Sequence, residues 1–278
     1  MPPARPLTGR TPTGRASRAS DGGAGDSPTG DASSGSSSGS STGHEVGLHA
    51  SVLDRLGQEI VSGTVPVDSV VRIDQLDERF GVSRSVVREA VRVLSSMGLV
   101  ETRRRLGVRV RPRSQWNVFD PRVIRWRLDG PDREDQLVSL GELRRGFEPV
   151  AAELAADRAT PDQCGAMAAA VMQMTVHAKS GDLVAYLEAD KDFHRTMLEA
   201  SGNEMLASLS TVVAEVLSGR THHDLMPRTP NPAAIRLHGD VAQAIGSGDG
   251  KAASAAMASI IDEASAAVRD SKDTGHRS

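Results

Sequence analysis

The sequence predicts a mainly α fold in two parts: a small helix-turn-helix unit with a β-hairpin wing, then an all-α bundle of six or seven helices. Three observations carry this reading. Between Ile73 and Val110, a short amphipathic stretch, the turn Gly81-Val82-Ser83 and a longer amphipathic stretch precede an alternating, arginine-rich ribbon around Gly107. From Arg133 onward apolar residues recur at helical spacing, and no segment alternates as a strand does. Aromatic residues make up only 3% of the 278 residues, so both cores must be built from Ala, Val, Leu, Ile and Met.

Residues 1–43 are Gly, Ser, Pro, Thr and Ala with scattered charges. A run such as Ser33–Ser41 has nothing apolar to bury and cannot offset its ordering entropy, so a flexible tail is expected there. Order is expected from His44, and residues 44–113 should form the reading unit. Val52, Leu53, Leu56, Ile60 and Val61 recur as one helical face, closed by Gly63 and Pro66. Asp74 can cap a short second helix that puts Leu76 and Phe80 on one side. The next helix should run from about Arg84 to Met97 and stop at Gly98. Leu99–Arg103 and Val108–Arg111 alternate and should pair across Arg104–Gly107 as the wing. Residues 114–132 form a connector rich in Trp116, Phe119, Ile124, Trp126 and Leu128, too apolar for a loose linker.

The bundle is expected over 133–272, with a short disordered tail at 273–278. Its first helix shows the stripe Leu137, Leu140, Leu143, Phe147, Val150 and Leu154. Further helices are expected near Ala166–Ala178, Leu183–Ala200, Glu204–Gly219, Ala233–Gly246 and Lys251–Arg269, separated by Gly181-Asp182, Gly202-Asn203, the His222–Pro232 loop and Gly248-Asp249-Gly250.

Net charge is −3 for the whole chain, but it is unevenly spread. His44–Arg113 holds 12 Arg against 9 acidic residues, and the remainder to Ser278 is acidic. A basic head on an acidic body suggests that only the head meets a polyanion. Cys164 is the single cysteine, which excludes an intrachain disulfide and suits a reducing compartment. No run approaches the roughly 18 apolar residues of a membrane span, and the N-terminal arginines lead into no apolar stretch. A cytoplasmic protein without a membrane partner is expected.

In the longer amphipathic stretch Val87, Ala90, Val91 and Leu94 share one face, and Arg84 and Arg88 share the opposite one near its start. The first turns of a recognition helix enter the major groove, and arginine can donate two parallel hydrogen bonds to guanine. Ser83, Arg84, Ser85 and Arg88 are therefore the expected core DNA contacts, with Arg92 closer to a phosphate. The wing carries Arg103, Arg104, Arg105, Arg109 and Arg111, and its tip at Arg104, Arg105 and Gly107 should reach a groove or backbone. In the bundle, Asp190 and His194 lie four apart on one helical face. This is the spacing of a two-ligand metal clip, and equally that of an ordinary hydrogen-bonded pair.

The run Gly81–Leu94, followed by Gly98-Leu99-Val100 and the glycine-tipped wing, resembles the GntR family of bacterial regulators. Glu142-Leu143-Arg144, Glu148-Pro149, Asp190-Lys191-Asp192-Phe193-His194, Ser201-Gly202-Asn203, His238 and Gly248-Asp249 resemble the FCD domain of its FadR branch. The connector Trp116–Trp126 is similar to that of actinobacterial gluconate-operon repressors. The resemblance implies double-stranded operator DNA, a homodimer, and release by a small carboxylate such as gluconate. It implies an effector cavity at Arg144, Asp190, His194 and His238, the last three also binding a divalent metal such as zinc. Two departures stand out. The basic position expected near residue 74 is Asp74, so Arg72 is expected to take that contact. The expected fourth metal ligand falls on Ile260, leaving either a three-ligand site, help from His222 or His223, or a metal-free polar trio. For Arg144 a plain ion pair with Glu148 is the alternative. A dicarboxylate or acyl-CoA effector, or a metal-dependent enzyme, are the competing functions; no nucleophile or general-base motif accompanies the trio, so catalysis is not expected.

Overall fold

The computed structural model describes residues 40–103, 106–222 and 230–275. The tail expected over 1–43 falls outside the described residues up to residue 39. So do Arg104 and Arg105 of the wing tip, His223 and residues 276–278.

The first helix, α1 (Ser40–Val61), buries Val52, Leu53, Leu56, Ile60 and Val61, the face its spacing predicts. Helix α2 (Ile73–Phe80) starts from Arg72, so Asp74 lies inside its first turn and does not cap it; the helix buries Leu76 and ends at Gly81, whose φ of 65° lets its N–H reach back to the carbonyls of Asp77 and Glu78. Helix α3 (Arg84–Ser96) starts from Ser83, whose side chain accepts from the Val86 N–H, and buries Val86, Val87, Ala90, Val91 and Leu94. The chain then turns at Gly98 (φ 77°), where a Cβ would run into the Gln115 carbonyl oxygen. The wing is a three-stranded antiparallel sheet, ordered β1–β3–β2, of β1 (Val70–Val71), β2 (Val100–Arg103) and β3 (Gly107–Val110). The two-residue β1 was not expected: so short a strand exists only because Val70 and Val71 pair with Arg109 and Val108.

The connector is more ordered than its sequence suggests. Asp120 accepts from the Arg122 N–H and Pro121 occupies the first turn of α4 (Pro121–Leu128). Trp116 and Val123 pack into the core of the head, and Trp126 joins them. Ile124 and Leu128 instead join Leu137, Leu140, Val212, Val216 and Val268 of the bundle. One short helix thus belongs to both cores. The Trp126 indole donates to Asp54 Oδ1 at 3.3 Å on α1, and Arg125 forms an ion pair with Glu215. Phe119 does not join either core: it precedes α4 and stays exposed.

The bundle comprises α5 (Arg133–Arg158), α6 (Pro161–Ser180), α7 (Leu183–Ala200), α8 (Glu204–Ser208), α9 (Ser210–His222), α10 (Pro232–Ser247) and α11 (Gly250–Gly275). These seven helices among the described residues match the expected number. Caps explain the boundaries: Thr160 and Gln163 form a capping box on α6, Asp182 caps α7, Asn203 caps α8 and Asn231 caps α10. The stretch read as a single helix from Glu204 to Gly219 is two, broken at Leu209. Helix α11 continues beyond the Arg269 expected for its end. The stripe on α5 also needs correction. Val150 is 50% exposed, and Arg144, Glu148, Ala151, Ala152 and Ala155 are buried instead. Alanines let α5 lie close to α11, while two ionic groups turn inward beside them.

Trp126 seats α4 against the head. A Cβ on Gly57 would fall within 3.0 Å of three carbons of its indole. Gly57→Val is therefore expected to cost about 2–3 kcal/mol through overpacking, read as a lower midpoint in chemical denaturation with a shifted tryptophan emission. Unchanged stability would show that the indole is not seated against α1.

Candidate nucleic-acid interface and effector cavity

The start of α3 and the wing enclose an open cleft of about 380 Å3 lined by Arg72, Arg84, Arg88, Arg103, Leu106 and Gly107, among others. The structure thus brings Arg72, Arg84, Arg88 and Gly107 to one surface, with Arg103 and Thr102 as further members. Ser83 and Ser85 are exposed beside Arg84, their hydroxyls 2.8 Å apart. Each basic group is held differently. Arg72 donates twice to Asp74, at 3.0 and 2.8 Å. This pair raises the Arg72 pKa and lowers that of Asp74. Asp74 therefore occupies the guanidinium expected to stand in for it. Arg84 pairs with Asp77 at 2.9 Å and remains 70% exposed, and Arg103 pairs with Glu101. Arg88 is exposed, without an ion pair among the described residues. Arg109 is drawn to Asp68 and Glu101. Exposed ion pairs of this kind are weak and screened by salt, so phosphates can displace the acidic partners.

In the bundle the polar residues converge from three helices. Helix α5 supplies Arg144 and Glu148, α7 supplies Asp190 and His194, and α10 supplies His238, all buried. Arg144 lies 2.5 Å through Nε, and 3.3 Å through a terminal nitrogen, from the two Glu148 oxygens. The His194 Nδ1 lies 2.7 Å from Glu148 Oε2. Burial alone would raise the Glu148 carboxyl, but Arg144 and His194 hold it down to about 2. Burial opposes the charged form of His194 as well, yet Glu148 and Asp190 raise its pKa.

The geometry around Asp190 is that of a ligand set. His238 Nε2 lies 3.1 Å and His194 Nε2 3.5 Å from Asp190 Oδ1. None of these three atoms makes an aligned hydrogen bond, and all three are shielded from solvent. Tetrahedral ligands about 2.0–2.1 Å from a zinc ion stand roughly 3.3–3.4 Å apart, which the two observed separations bracket. One ligand atom from each residue falls within 4.8 Å of the others. His238 Nδ1 lies 2.7 Å from the Ala234 carbonyl and donates to it, which leaves the Nε2 lone pair aimed at a carboxylate oxygen. For a neutral His238 two acceptors face each other there, an arrangement that a divalent cation between them, or a proton on Nε2, relieves. The residues present fit a divalent metal. Ile260, at the position expected for a fourth ligand, is 7% exposed and offers no donor; the side chains of His222 and His223 lie outside the described residues.

Beside the trio is a cavity of about 160 Å3 lined by Tyr186, Asp190, Arg220, Asn231, Ile260 and Glu263, among others. Of the four residues expected to contact an effector, only Asp190 lines it. Arg144 sits behind the trio in its pair with Glu148, the alternative read from the i, i+4 spacing. Arg220 was missed by sequence reasoning. No motif marks it, and nothing in the polar and apolar mixture of α9 sets it apart from other arginines.

A winged head whose arginines line an open cleft, joined through a shared helix to a helical bundle with a polar cavity, defines a ligand-responsive DNA-binding regulator. Comparisons with known proteins agree. Residues 48–110 match the bacterial regulatory proteins of the gntR family, and 139–263 match the FCD domain. The galactonate operon transcriptional repressor of Escherichia coli is 33% identical over 74% of this chain and 90% of its own. A probable D-xylose utilization operon transcriptional repressor of Paenarthrobacter nicotinovorans is 27% identical over 75% of this chain and 83% of its own. A solved structure of Lar, which controls expression of the Listeria monocytogenes agr system, superposes with a TM-score of 0.52 at 18% identity, covering 80% of this chain and 97% of that one. The chain belongs to the GntR family of transcriptional regulators and carries an FCD domain. The members it matches regulate transcription; they are not enzymes.

Removing Glu148 tests the buried framework. Glu148→Ala leaves Arg144 charged and unpaired in the core, and a loss of about 3–5 kcal/mol is expected, measured by urea unfolding. A loss under about 1 kcal/mol would mean that Arg144 reaches water.

Proposed function

We propose that this chain is a homodimeric repressor that binds operator DNA through Ser83, Arg84, Ser85, Arg88 and the wing, and lets go when a small sugar acid enters the bundle. The observation that supports the reading is a polar cavity, with Arg220 on its wall and the Asp190, His194 and His238 trio beside it, in a bundle that shares α4 with the reading head. Helix α9 contributes Arg220 to the cavity, and its neighbour Gly219 is in contact with Leu128 of α4. A ligand that draws on α9 therefore acts one residue from the helix on which the head is seated. It shifts the head only by binding one arrangement better than the other. Two heads joined in a dimer raise affinity through effective concentration and match a palindromic site.

The names of the relatives support a sugar acid: one represses a galactonate operon. The cavity volume of about 160 Å3 suits a small acid better than a long acyl chain. Asp190, His194 and His238 would hold a divalent metal, which supplies a Lewis-acidic anchor for ligand oxygens when bound. Glu148 orients His194 through Nδ1, and the Ala234 carbonyl orients His238.

Two experiments test this. A duplex selected from a random pool by the wild-type protein is titrated by fluorescence anisotropy. Arg84→Ala and Arg88→Ala should each weaken binding about 10–100-fold, as loss of a bidentate base contact does, and D-gluconate or D-galactonate should release the wild-type complex. Full affinity in both variants removes these arginines from the interface. Separately, zinc added to chelator-treated protein should raise its melting temperature through preferential binding to the folded state. The same addition should leave His194→Ala unmoved; equal shifts in both proteins would place the metal elsewhere.

A further inference from the structure

We infer that Arg220, not Arg144, is the carboxylate anchor of this cavity, and that Glu263 restricts the ligand to a polyhydroxy monocarboxylate. The inference rests on reading the cavity as the effector site. The two inward arginines differ in one respect. Arg144 is buried and turns one edge of its guanidinium, Nε and a terminal nitrogen, onto the two oxygens of Glu148. Arg220 lines the cavity, and its Nε is shielded from solvent without a hydrogen-bond partner. A guanidinium N–H removed from water without an acceptor is costly, and the group that best fills the planar fork of this half-buried arginine is a carboxylate. Asp190 and Glu263 line the same cavity but form no ion pair with Arg220 among the described residues.

The remaining walls select the rest of the ligand. Glu263 accepts from the Asn231 side-chain amide, and Asn231 is itself fixed by capping α10 through its amide oxygen. The braced carboxylate of Glu263 presents acceptor oxygens to the cavity. Hydroxyl groups can donate to them, whereas a second ligand carboxylate would meet like charge. Ile260 offers an apolar patch where a ligand carbon can rest. The cavity therefore carries a cationic anchor and an acceptor wall, which matches an aldonic acid and disfavours the corresponding aldaric acid and the uncharged alditol.

Isothermal titration of the full-length protein with D-galactonate, D-gluconate, galactarate and galactitol tests this. The wild type should bind at least one aldonate about 10-fold or more tightly than galactarate or galactitol. Arg220→Met should lower aldonate affinity by about 30-fold or more while the galactitol value stays put, erasing the difference between acid and alditol. Arg220→Lys, which keeps the charge but loses the fork, should fall between the two and guards against a misfolded methionine variant. Glu263→Gln should narrow the gap between aldonate and galactarate. If Arg220→Met or Arg220→Lys keeps the wild-type preference for acid over alditol, Arg220 is not the anchor, although the sugar-acid reading survives because the acids still bind. If none of the four compounds binds the wild type at millimolar concentration, the sugar-acid reading fails and this inference fails with it.

Discussion

A carboxylate with no exposed surface, Glu148, sets the terms for the bundle. Ionised groups are not removed from water unless partners replace the lost hydration, and here Arg144 and His194 do so from two sides. Because α5 is committed to holding Arg144 and Glu148 inward, its neighbouring flank can be lined with alanines that let α11 approach. Because Glu148 faces Nδ1 of His194, the other ring nitrogen is directed toward Asp190 and His238. The orientation of His194 and the metal-competent trio thus share one ring.

The cavity inherits its polarity from this arrangement. With Arg144 paired to Glu148, the arginine left for a ligand is Arg220, whose guanidinium forms no ion pair among the described residues. Such asymmetry between a buried and a half-buried arginine separates a structural pair from a binding group. The same chemical type serves both purposes, and the difference is whether the chain itself supplies a hydrogen-bonding partner.

Helix α4 links this chemistry to the DNA-reading head. Its eight residues divide their apolar side chains between two cores, and its polar groups add a hydrogen bond to α1 and an ion pair to α9. A helix seated in two cores cannot shift in one without disturbing packing in the other, since interiors are dense and tolerate few intermediate arrangements. The close seats at Gly57 and Gly219 leave little room for slack. Sequence spacing showed that the connector was too apolar to be loose, but not that Trp126 and Leu128 would face different partners.

Local pattern alone determined the reading head. The period of Val87, Ala90, Val91 and Leu94, the glycine turn and the alternating wing are properties of short segments, and short segments are where periodicity and capping act. The helical character of the bundle was legible for the same reason, as was the pairing of Asp190 with His194 across one turn. Tertiary structure decided the features that depend on residues far apart in sequence. It made a strand of Val70 and Val71, whose pairing partners lie almost forty positions on. It turned Val150 outward and Glu148 inward, and brought His238 to within 3.1 Å of Asp190. It also left the Arg220 Nε without a hydrogen-bond acceptor among the described residues, a property of its three-dimensional surroundings that no neighbour in the sequence can reveal.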